Sequence, residues 1–271
     1  MRDGPETEEG RRFRRLMKCR TAVTAGGRVD YDGDRGSLFF SIECVINVVT
    51  YSPTRRIDMT QRTLKIALFG ATGMIGSRIA AEAARRGHQV TALSRNPAAS
   101  AANVSAKAAD LFDPASIAAA LDGQDVVASA YGPKQEDASK VVAVAKALVE
   151  GARKAGVKRV VVVGGAGTLE VAPGKQLVDT EGFPDAYKAV ALAHRDAFDY
   201  LSSVQDLDWT FFSPAALIAP GERTGQFRTG AGKLIVDAQG NSKISAEDYA
   251  IAFVDEIEQS RFVRQIATAA Y

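Results

Sequence analysis

The chain has 271 residues, of which 46% are hydrophobic and 24% are charged, and its formal net charge is +2 at pH 7. This composition excludes collagen-like, intrinsically disordered and disulfide-framework proteins. A charge so close to neutral argues against a dedicated nucleic-acid-binding protein. No apolar run reaches the roughly 18 to 20 residues that a membrane helix needs, and no secretory signal is apparent. We therefore expect a cytoplasmic protein that binds neither nucleic acid nor a membrane.

Residues 1–60 differ from the rest of the chain. They hold 11 of the 34 basic residues, 9 of the 32 acidic residues and both cysteines, so residues 61–271 carry 23 charges of each sign and no cysteine. Mixed charge and scattered glycines give residues 1–60 no helical or strand period. We interpret them as a poorly ordered N-terminal extension, or as sequence upstream of a true start at Met59. The alternative is a targeting arm, or a tail that binds nucleic acid or a membrane.

Strands and helices alternate over residues 65–163. Five apolar segments predict strands, at Lys65–Phe69, Gln89–Ser94, Ala106–Ala109, Asp125–Tyr131 and Arg159–Val163. Three helices are predicted between them, at Met74–Arg86, from a start at Asp113 and Pro114, and at Glu136–Ala155. Strands with almost no polar residue suit a sheet that is covered on both faces. The alternation predicts right-handed crossovers and a parallel sheet.

The second half of the chain is richer in loops. Glycine-rich segments predict long loops over residues 164–182 and 220–232. Two more helices are predicted, at Asp185–Leu201 and from a capping pair formed by Ser245 and Asp248. Three more strands are predicted, at Trp209–Phe212, Lys233–Asp237 and Gln265–Tyr271. Residues 61–271 together are of a normal size for one domain.

A glycine-rich segment, GATGMIG at residues 70–76, connects the first predicted strand to the first helix. Glycines let the backbone turn tightly and approach a pyrophosphate, and the start of the helix supplies N–H groups and the positive end of its dipole. An ordinary glycine-rich turn is the alternative. The strand before, the helix after and the second strand about 20 residues later favour nucleotide binding. The predicted cofactor contacts in this segment are Gly70, Thr72, Gly73, Met74, Ile75 and Gly76.

The G-x-x-G-x-x-G spacing, within IALFGATGMIG, resembles that of extended and atypical short-chain dehydrogenases/reductases. The segments DWTFFSP at 208–214, GERTG at 221–225 and ISAEDY at 244–249 add to the resemblance, which covers residues 64–271. It is closest to the NAD(P)H-binding branch that contains NADH-flavin reductase-like and biliverdin reductase B-like proteins. This resemblance implies an α/β, Rossmann-type doubly wound parallel sheet, a single domain with a small C-terminal substrate-side portion. It also implies hydride transfer from a reduced nicotinamide.

The preference for NAD or NADP depends on the residue that follows the second strand, which here is Arg95. A carboxylate at this place binds the ribose 2′-hydroxyl of NAD, whereas an arginine pairs with the 2′-phosphate of NADP. We therefore predict NADP (NADPH) in preference to NAD, the alternative being a solvated arginine. The resemblance implies an adenine contact at Asp110 and Leu111, although a role in starting the next helix is nearly as favoured.

The turns after the fourth, fifth and sixth strands are predicted to lie along the ribose and the nicotinamide, because ligands bind at the carboxyl ends of parallel strands. A plain loop is the alternative after the fourth strand. The residues predicted to contact the cofactor in these turns are Ala130, Tyr131, Gly132, Gly164, Gly165, Ser213 and Pro214.

One departure from the family pattern concerns acid–base chemistry. Short-chain dehydrogenases use a Tyr-x-x-x-Lys pair with a serine, but here Tyr187 is followed four residues later by Ala191. Lys188 is adjacent to Tyr187, and neighbours on a helix point in different directions. The nearest hydroxyl after the fifth strand is that of Thr168. We leave the catalytic residues unassigned, with Thr168, Tyr187 and Lys188 as weak candidates.

The missing acid–base pair favours reduction of a flavin or another planar acceptor, because the proton can then come from solvent. We predict an NAD(P)H-dependent reductase, active as a monomer or a homodimer. The alternatives are a non-catalytic NADP-sensing regulatory protein, similar to the NmrA-like group, and a nucleotide-sugar epimerase or dehydratase. Arg223 and Arg228 could meet a flavin phosphate, although solvated loop charges are favoured, and His194 is interpreted as structural. Two histidines are too few for a histidine metal cluster, and we predict no metal site.

Overall fold

The computed structural model describes residues 62–97, 103–133 and 137–271, which all belong to one compact unit, Thr60–Tyr271. The predicted extension, residues 1–60, lies outside the described residues. None of the helices in the described part is long and apolar enough to cross a membrane.

The described residues form twelve strands and five α-helices. The strands are β1 Lys65–Phe69, β2 Gln89–Ser94, β3 Val104–Ala108, β4 Val126–Ser129, β5 Arg159–Val163, β6 Glu170–Ala172, β7 Lys175–Gln176, β8 Asp208–Ser213, β9 Leu217–Ala219, β10 Arg228–Ala231, β11 Lys243–Ser245 and β12 Gln265–Ala270. The helices are α1 Met74–Arg85, α2 Pro114–Ala120, α3 Lys140–Ala155, α4 Asp185–Ser202 and α5 Ala246–Gln259.

Eight strands form one sheet in the order β10-β12-β8-β5-β4-β1-β2-β3. All its neighbouring strands run parallel except β10, which runs antiparallel to β12. The strand order reverses between β1 and β4, and a doubly wound sheet binds its ligand at such a point, outside the carboxyl ends of the strands. The predicted fold class, a Rossmann-type doubly wound parallel sheet in one domain, is confirmed.

Helices cover both faces of the sheet because side chains alternate between the faces along each strand. In β1, Ala67 and Phe69 belong to the core beneath α2, α3 and α4, whereas Ile66 and Leu68 belong to the core beneath α1 and α5. All four side chains are almost fully buried. A strand buried on both faces has no polar side to display, which is why these strands are almost continuously apolar.

Two of the predicted helix starts are confirmed in detail. The Asp113 carboxylate accepts a hydrogen bond of 2.9 Å from the backbone N–H of Ala115, and Pro114 is the first residue of α2. Ser245 Oγ likewise accepts a bond of 3.0 Å from the N–H of Asp248 at the start of α5. Each side chain satisfies a backbone donor that the helix itself leaves unpaired.

The prediction of a strand at Lys233–Asp237 is wrong. Only Lys233 forms an isolated bridge, with Glu170. The edge strand is β10, inside the segment 220–232 that was predicted to be a loop. Its sequence, RTGA, has no apolar alternation, so pairing with the buried β12 rather than local preference makes it a strand. The segment 164–182 is likewise more ordered than predicted, since it contains the β6–β7 hairpin and two short 3₁₀ turns. Helix α3 begins at Lys140, because residues 137–139 form a turn, so the predicted helix Glu136–Ala155 starts too early; Glu136 itself lies outside the described residues.

Candidate cofactor and acceptor site

The turn between β1 and α1 is so tight that only glycine fits at two of its positions. Gly70 has a φ of +77°, and a Cβ on it would lie 2.5 Å from the carbonyl oxygen of Ala130, at the end of β4. A Cβ on Gly76 would lie 2.0 Å from the carbonyl oxygen of Gly70. Both distances are far below van der Waals contact. These two glycines therefore let α1 start directly against the carboxyl ends of β1 and β4.

The third glycine, Gly73, is different because a Cβ there would meet one backbone atom at contact distance instead of clashing. It has an ordinary φ of −75°, and the atom nearest to an added Cβ would be the Gly70 carbonyl oxygen at 3.4 Å. No side chain caps α1, and Thr72, Gly73 and Met74 are all exposed at its start, whereas Ile75 is half-buried against the core. An uncapped helix N-terminus with an unobstructed backbone is suited to a pyrophosphate. The residues present therefore fit the dinucleotide that the sequence predicts.

Beyond the end of β2, Arg95 is exposed and forms no hydrogen bond or ion pair with any described residue. It lies within electrostatic reach of Tyr131, which follows β4, and of Lys140 at the start of α3. Burial, together with the negative charge of Asp137, raises the pKa of Tyr131, and the charges of Lys140 and Arg95 oppose that rise. Two predicted cofactor residues, Arg95 and Tyr131, thus follow the two strands that flank β1 and lie close enough for the charge of one to influence the other. The next residue, Gly132, is exposed with open space around its Cα.

Asp110 and Leu111 follow β3. One carboxylate oxygen of Asp110 accepts a hydrogen bond of 3.0 Å from the backbone N–H of Phe112, so Asp110 stabilises this turn. The helix itself is capped by Asp113. Leu111 is half-buried against the core, and the ring of Phe112 meets that of Tyr131 edge-on with centroids 6.0 Å apart. The adenine contact at Asp110 and Leu111 stays a prediction.

The turns after β5 and β8 are held together by two buried hydroxyl groups. Thr168 Oγ1 donates a hydrogen bond of 2.8 Å to the carbonyl oxygen of Gly165 and lies 3.1 Å from Ser213 Oγ. Both side chains are almost fully buried, and a Cβ on Gly164 would lie 2.6 Å from Ser213 Oγ. Thr168 and Ser213 therefore set the shape of the two strand ends through bonds within the chain.

A cavity of about 540 Å³ opens beside these strand ends. Three of the predicted site residues line it, namely Gly165, Pro214 and Tyr187. Lys188 does not line it, as expected for the next residue along a helix. Most of the wall comes from residues that the sequence does not mark as part of a site. They include Leu177, Phe183, Val190, His194, Ala215, Ala216 and Ile218. Its surface is mainly apolar, and its volume is within the range of small-molecule sites.

His194, on α4, is the buried polar side chain of this wall. Its ring packs against Gly165, where an added Cβ would lie 3.1 Å away, and against Phe211 with centroids 6.1 Å apart. Burial lowers the pKa of His194 to about 4, so the imidazole is neutral at pH 7. Its Nδ1 atom has no hydrogen-bond partner in the described part of the chain. The structural role that the sequence suggests for His194 therefore includes shaping the cavity.

Arg223 and Arg228 are both engaged away from this cavity. Arg223 donates two hydrogen bonds, of 3.1 and 3.2 Å, to the carboxylate of Glu82 on α1. Although burial alone would raise the pKa of Glu82, hydrogen bonds from Arg85, Arg223 and Arg86 lower it to about 2. The guanidinium of Arg228 donates to the carbonyl oxygens of Val236 and Tyr271. Neither arginine lines the cavity.

The described residues contain no group of three or more His, Cys, Asp or Glu side chains placed to hold a metal.

Comparisons with known proteins identify the family and the fold. A family model described as NAD(P)H-binding matches residues 70–260. A crystal structure of a "putative exported protein" from Burkholderia pseudomallei is 91% identical, covers 77% of this chain and 100% of its own, and has a TM-score of 0.74. A "putative epimerase" from Bacteroides thetaiotaomicron is 37% identical, with coverages of 78% and 98% and a TM-score of 0.72. A "putative NADH-flavin reductase" from Streptococcus pneumoniae is 33% identical, with coverages of 76% and 99% and a TM-score of 0.70.

The family match covers well over half of the chain, and it includes the glycine turn, the strand ends and the cavity wall described above. This chain therefore belongs to the NAD(P)H-binding family, whose fold here is the Rossmann fold of atypical short-chain dehydrogenases/reductases.

Proposed function

We propose that this protein is an NADPH-dependent reductase that transfers hydride to a flavin or another planar acceptor. The observation that carries the proposal is the apolar cavity at the ends of β5 and β8, in line with the glycine turn after β1. A cofactor whose pyrophosphate lies at the start of α1 would reach Gly165 and Pro214 with its nicotinamide, at the edge of that cavity. The similarity to the streptococcal protein named as an NADH-flavin reductase supports the same activity.

The residues of this chain would bind, orient and shield the reactants. The backbone of Gly73 and the start of α1 would hold the pyrophosphate, and Arg95 would pair with the 2′-phosphate, which favours NADP over NAD. The walls of the cavity would stack the acceptor against the nicotinamide and exclude water. The acceptor gains one hydride from the reduced nicotinamide and one proton from water, and the nicotinamide is left oxidised.

The epimerase alternative has a named relative but little support from the residues of the cavity. Epimerisation at a sugar carbon needs a positioned acid and base. No Asp, Glu, Lys or Arg is among the described residues that line the cavity, and the position four residues after Tyr187 is Ala191. We therefore favour the reductase, for which the protein mainly supplies proximity.

The test is to mix the full chain with NADPH and, in separate reactions without oxygen, FMN, riboflavin or menadione. We expect the absorbance of NADPH to fall and, in the reactions with a flavin, the visible absorbance of the flavin to fall at the same rate. No oxidation above the protein-free rate with any acceptor would overturn the proposal. Tight NADP binding without turnover, together with a co-purifying protein, would favour the NADP-sensing alternative instead.

We further propose that the protein works in the cytoplasm as a monomer or a homodimer. Both points are open to simple measurements, namely cell fractionation and light scattering. Fractionation is the sharper of the two, because the relative from Burkholderia pseudomallei carries the name of an exported protein. Recovery of the protein in a fraction outside the cytoplasm would overturn the proposed location.

A further inference from the structure

The acceptor cavity carries no formal charge on its described lining residues. Asp, Glu, Lys and Arg are all absent from this part of its wall. Its titratable side chains are those of Tyr187 and His194, and the latter is buried in its neutral form. The rings of Phe183 and Tyr187 and the side chains of Pro214 and Ile218 provide apolar contact area instead.

Three basic residues near the cavity in sequence or considered as phosphate contacts, Lys188, Arg195 and Arg223, do not line it. Arg195, next to His194 on α4, forms an ion pair of 2.9 Å with Asp179. Arg223 pairs with Glu82, as described above. Lys188 is exposed at the start of α4 but does not line the cavity. The described part of the cavity wall therefore has no cation to neutralise a phosphate.

A phosphate that entered such a cavity would lose its hydration without gaining a charged partner, and that is strongly unfavourable. A neutral ring system loses little hydration and gains stacking and dispersion contacts with the aromatic and apolar walls. An acceptor with a charged tail can bind only if the tail stays in water, where it adds nothing to the affinity. The apolar wall therefore binds the ring system of an acceptor, and a charged tail on that ring does not change the affinity.

Resting on the proposed reductase function, we infer that the physiological acceptor is an uncharged, planar ring compound of the quinone or isoalloxazine type. The protein recognises the ring and does not recognise a phosphate attached to it. Riboflavin and FMN are then equivalent ligands, and a neutral quinone such as menadione competes with both for the same cavity.

The first test measures binding rather than turnover. The full chain is saturated with NADP⁺, and the quenching of riboflavin and FMN fluorescence is titrated at low and at high salt. We expect the two dissociation constants to agree within about threefold, to change little with salt, and to rise together when menadione is added. FMN binding more than about tenfold tighter, with a preference that salt removes, would overturn the inference. So would a failure of all three compounds to bind.

A matched pair of charge insertions gives a second test. Ala216 is exposed and lines the cavity, whereas the next residue, Leu217, is 63% exposed and does not line it. We expect Ala216→Arg to tighten FMN over riboflavin by about fivefold at low salt, and Leu217→Arg to leave the ratio unchanged. Lys188→Ala should also leave it unchanged. A loss of FMN binding in Lys188→Ala would show that this lysine does contact the phosphate, against the inference.

The inference and the proposed function can fail separately. Equal binding of riboflavin and FMN without any NADPH oxidation would contradict the proposed reductase activity, but it would support the inference that the ligand is recognised by its uncharged ring. Rapid NADPH oxidation with FMN, and almost none with riboflavin or menadione, would support the proposed reductase activity and overturn the inference of an uncharged ligand.

Discussion

The two halves of the candidate site are built in opposite ways. The cofactor half is centred on a contiguous turn, residues 70–76, whose shape depends on backbone contacts that no side chain can replace. The acceptor half is assembled from three separate stretches, within residues 165–167, 177–194 and 214–218, and its wall consists mainly of apolar side chains. Single substitutions should therefore have large effects in the first half, because backbone atoms cannot move aside, and small effects in the second.

The largest effect is expected in the turn itself. Gly76→Ala places a Cβ 2.0 Å from the Gly70 carbonyl oxygen, so α1 must shift away from β1. We expect destabilisation of about 3 kcal/mol or more and loss of NADP binding. Thermal unfolding and calorimetric titration with NADP⁺ measure the two effects.

Gly73→Ala is the matched control, because an added Cβ there meets only the Gly70 carbonyl oxygen, at 3.4 Å. We expect a loss of stability of only about 1 kcal/mol or less, because alanine is a poorer N-cap than glycine. NADP binding should be weakened by about tenfold or more, since the methyl group occupies space that the pyrophosphate needs. Wild-type affinity in Gly73→Ala would mean that the segment is an ordinary turn rather than a binding site.

In the acceptor half, the only large effect that we expect is a dependence of folding stability on pH, caused by protonation of His194. Burial lowers its folded-state pKa to about 4 from an ordinary value of 6.5. The unfolded chain therefore binds the extra proton first, and stability is lost as the pH falls from 6.5 towards 4. The loss from this group is on the order of 3 kcal/mol at most.

Denaturant titrations of the wild type and of His194→Phe at several pH values check this. We expect the stability of His194→Phe to depend less steeply on pH between about 6.5 and 5, a range in which few other groups titrate. Parallel slopes in the two proteins would show that His194 is already accessible to protons in the native state.

The difference between a local turn and a wall assembled from separate stretches also explains how much could be predicted from the sequence. The turn at 70–76 was predictable because glycines at fixed spacing after an apolar strand have a local meaning. The helix starts at Asp113 and Ser245 were predictable for the same reason. The cavity wall was not, because Phe183, His194 and Ala216 meet only through the packing of α4 against the strand ends. The edge strand β10 was missed because its pairing with β12, rather than its own sequence, creates it.

Arg95 tests the cofactor half by charge rather than by shape. Arg95→Asp should weaken NADPH binding by about tenfold or somewhat more, because an attractive contact to the 2′-phosphate becomes repulsive at an exposed, partly screened position. NADH, which lacks that phosphate, should bind within about twofold of its wild-type affinity. The measurement is a pair of fluorescence titrations at constant ionic strength. Equal weakening of both cofactors would contradict the assigned phosphate contact.

The smallest effect is expected from the Tyr187 hydroxyl group. Tyr187 is 63% exposed at the mouth of the cavity, and Ala191 stands where a lysine would be needed to activate it. Tyr187→Phe keeps the ring and removes only the hydroxyl, so kcat with riboflavin should change by less than about twofold. Tyr187→Ala removes the apolar contact as well and should raise KM more than it lowers kcat, because the lost contact is made equally in the ground state and the transition state. A fall in kcat of about a hundredfold in Tyr187→Phe would instead identify the hydroxyl as a proton donor. The acceptor half would then depend on one polar group, as the cofactor half depends on its glycines.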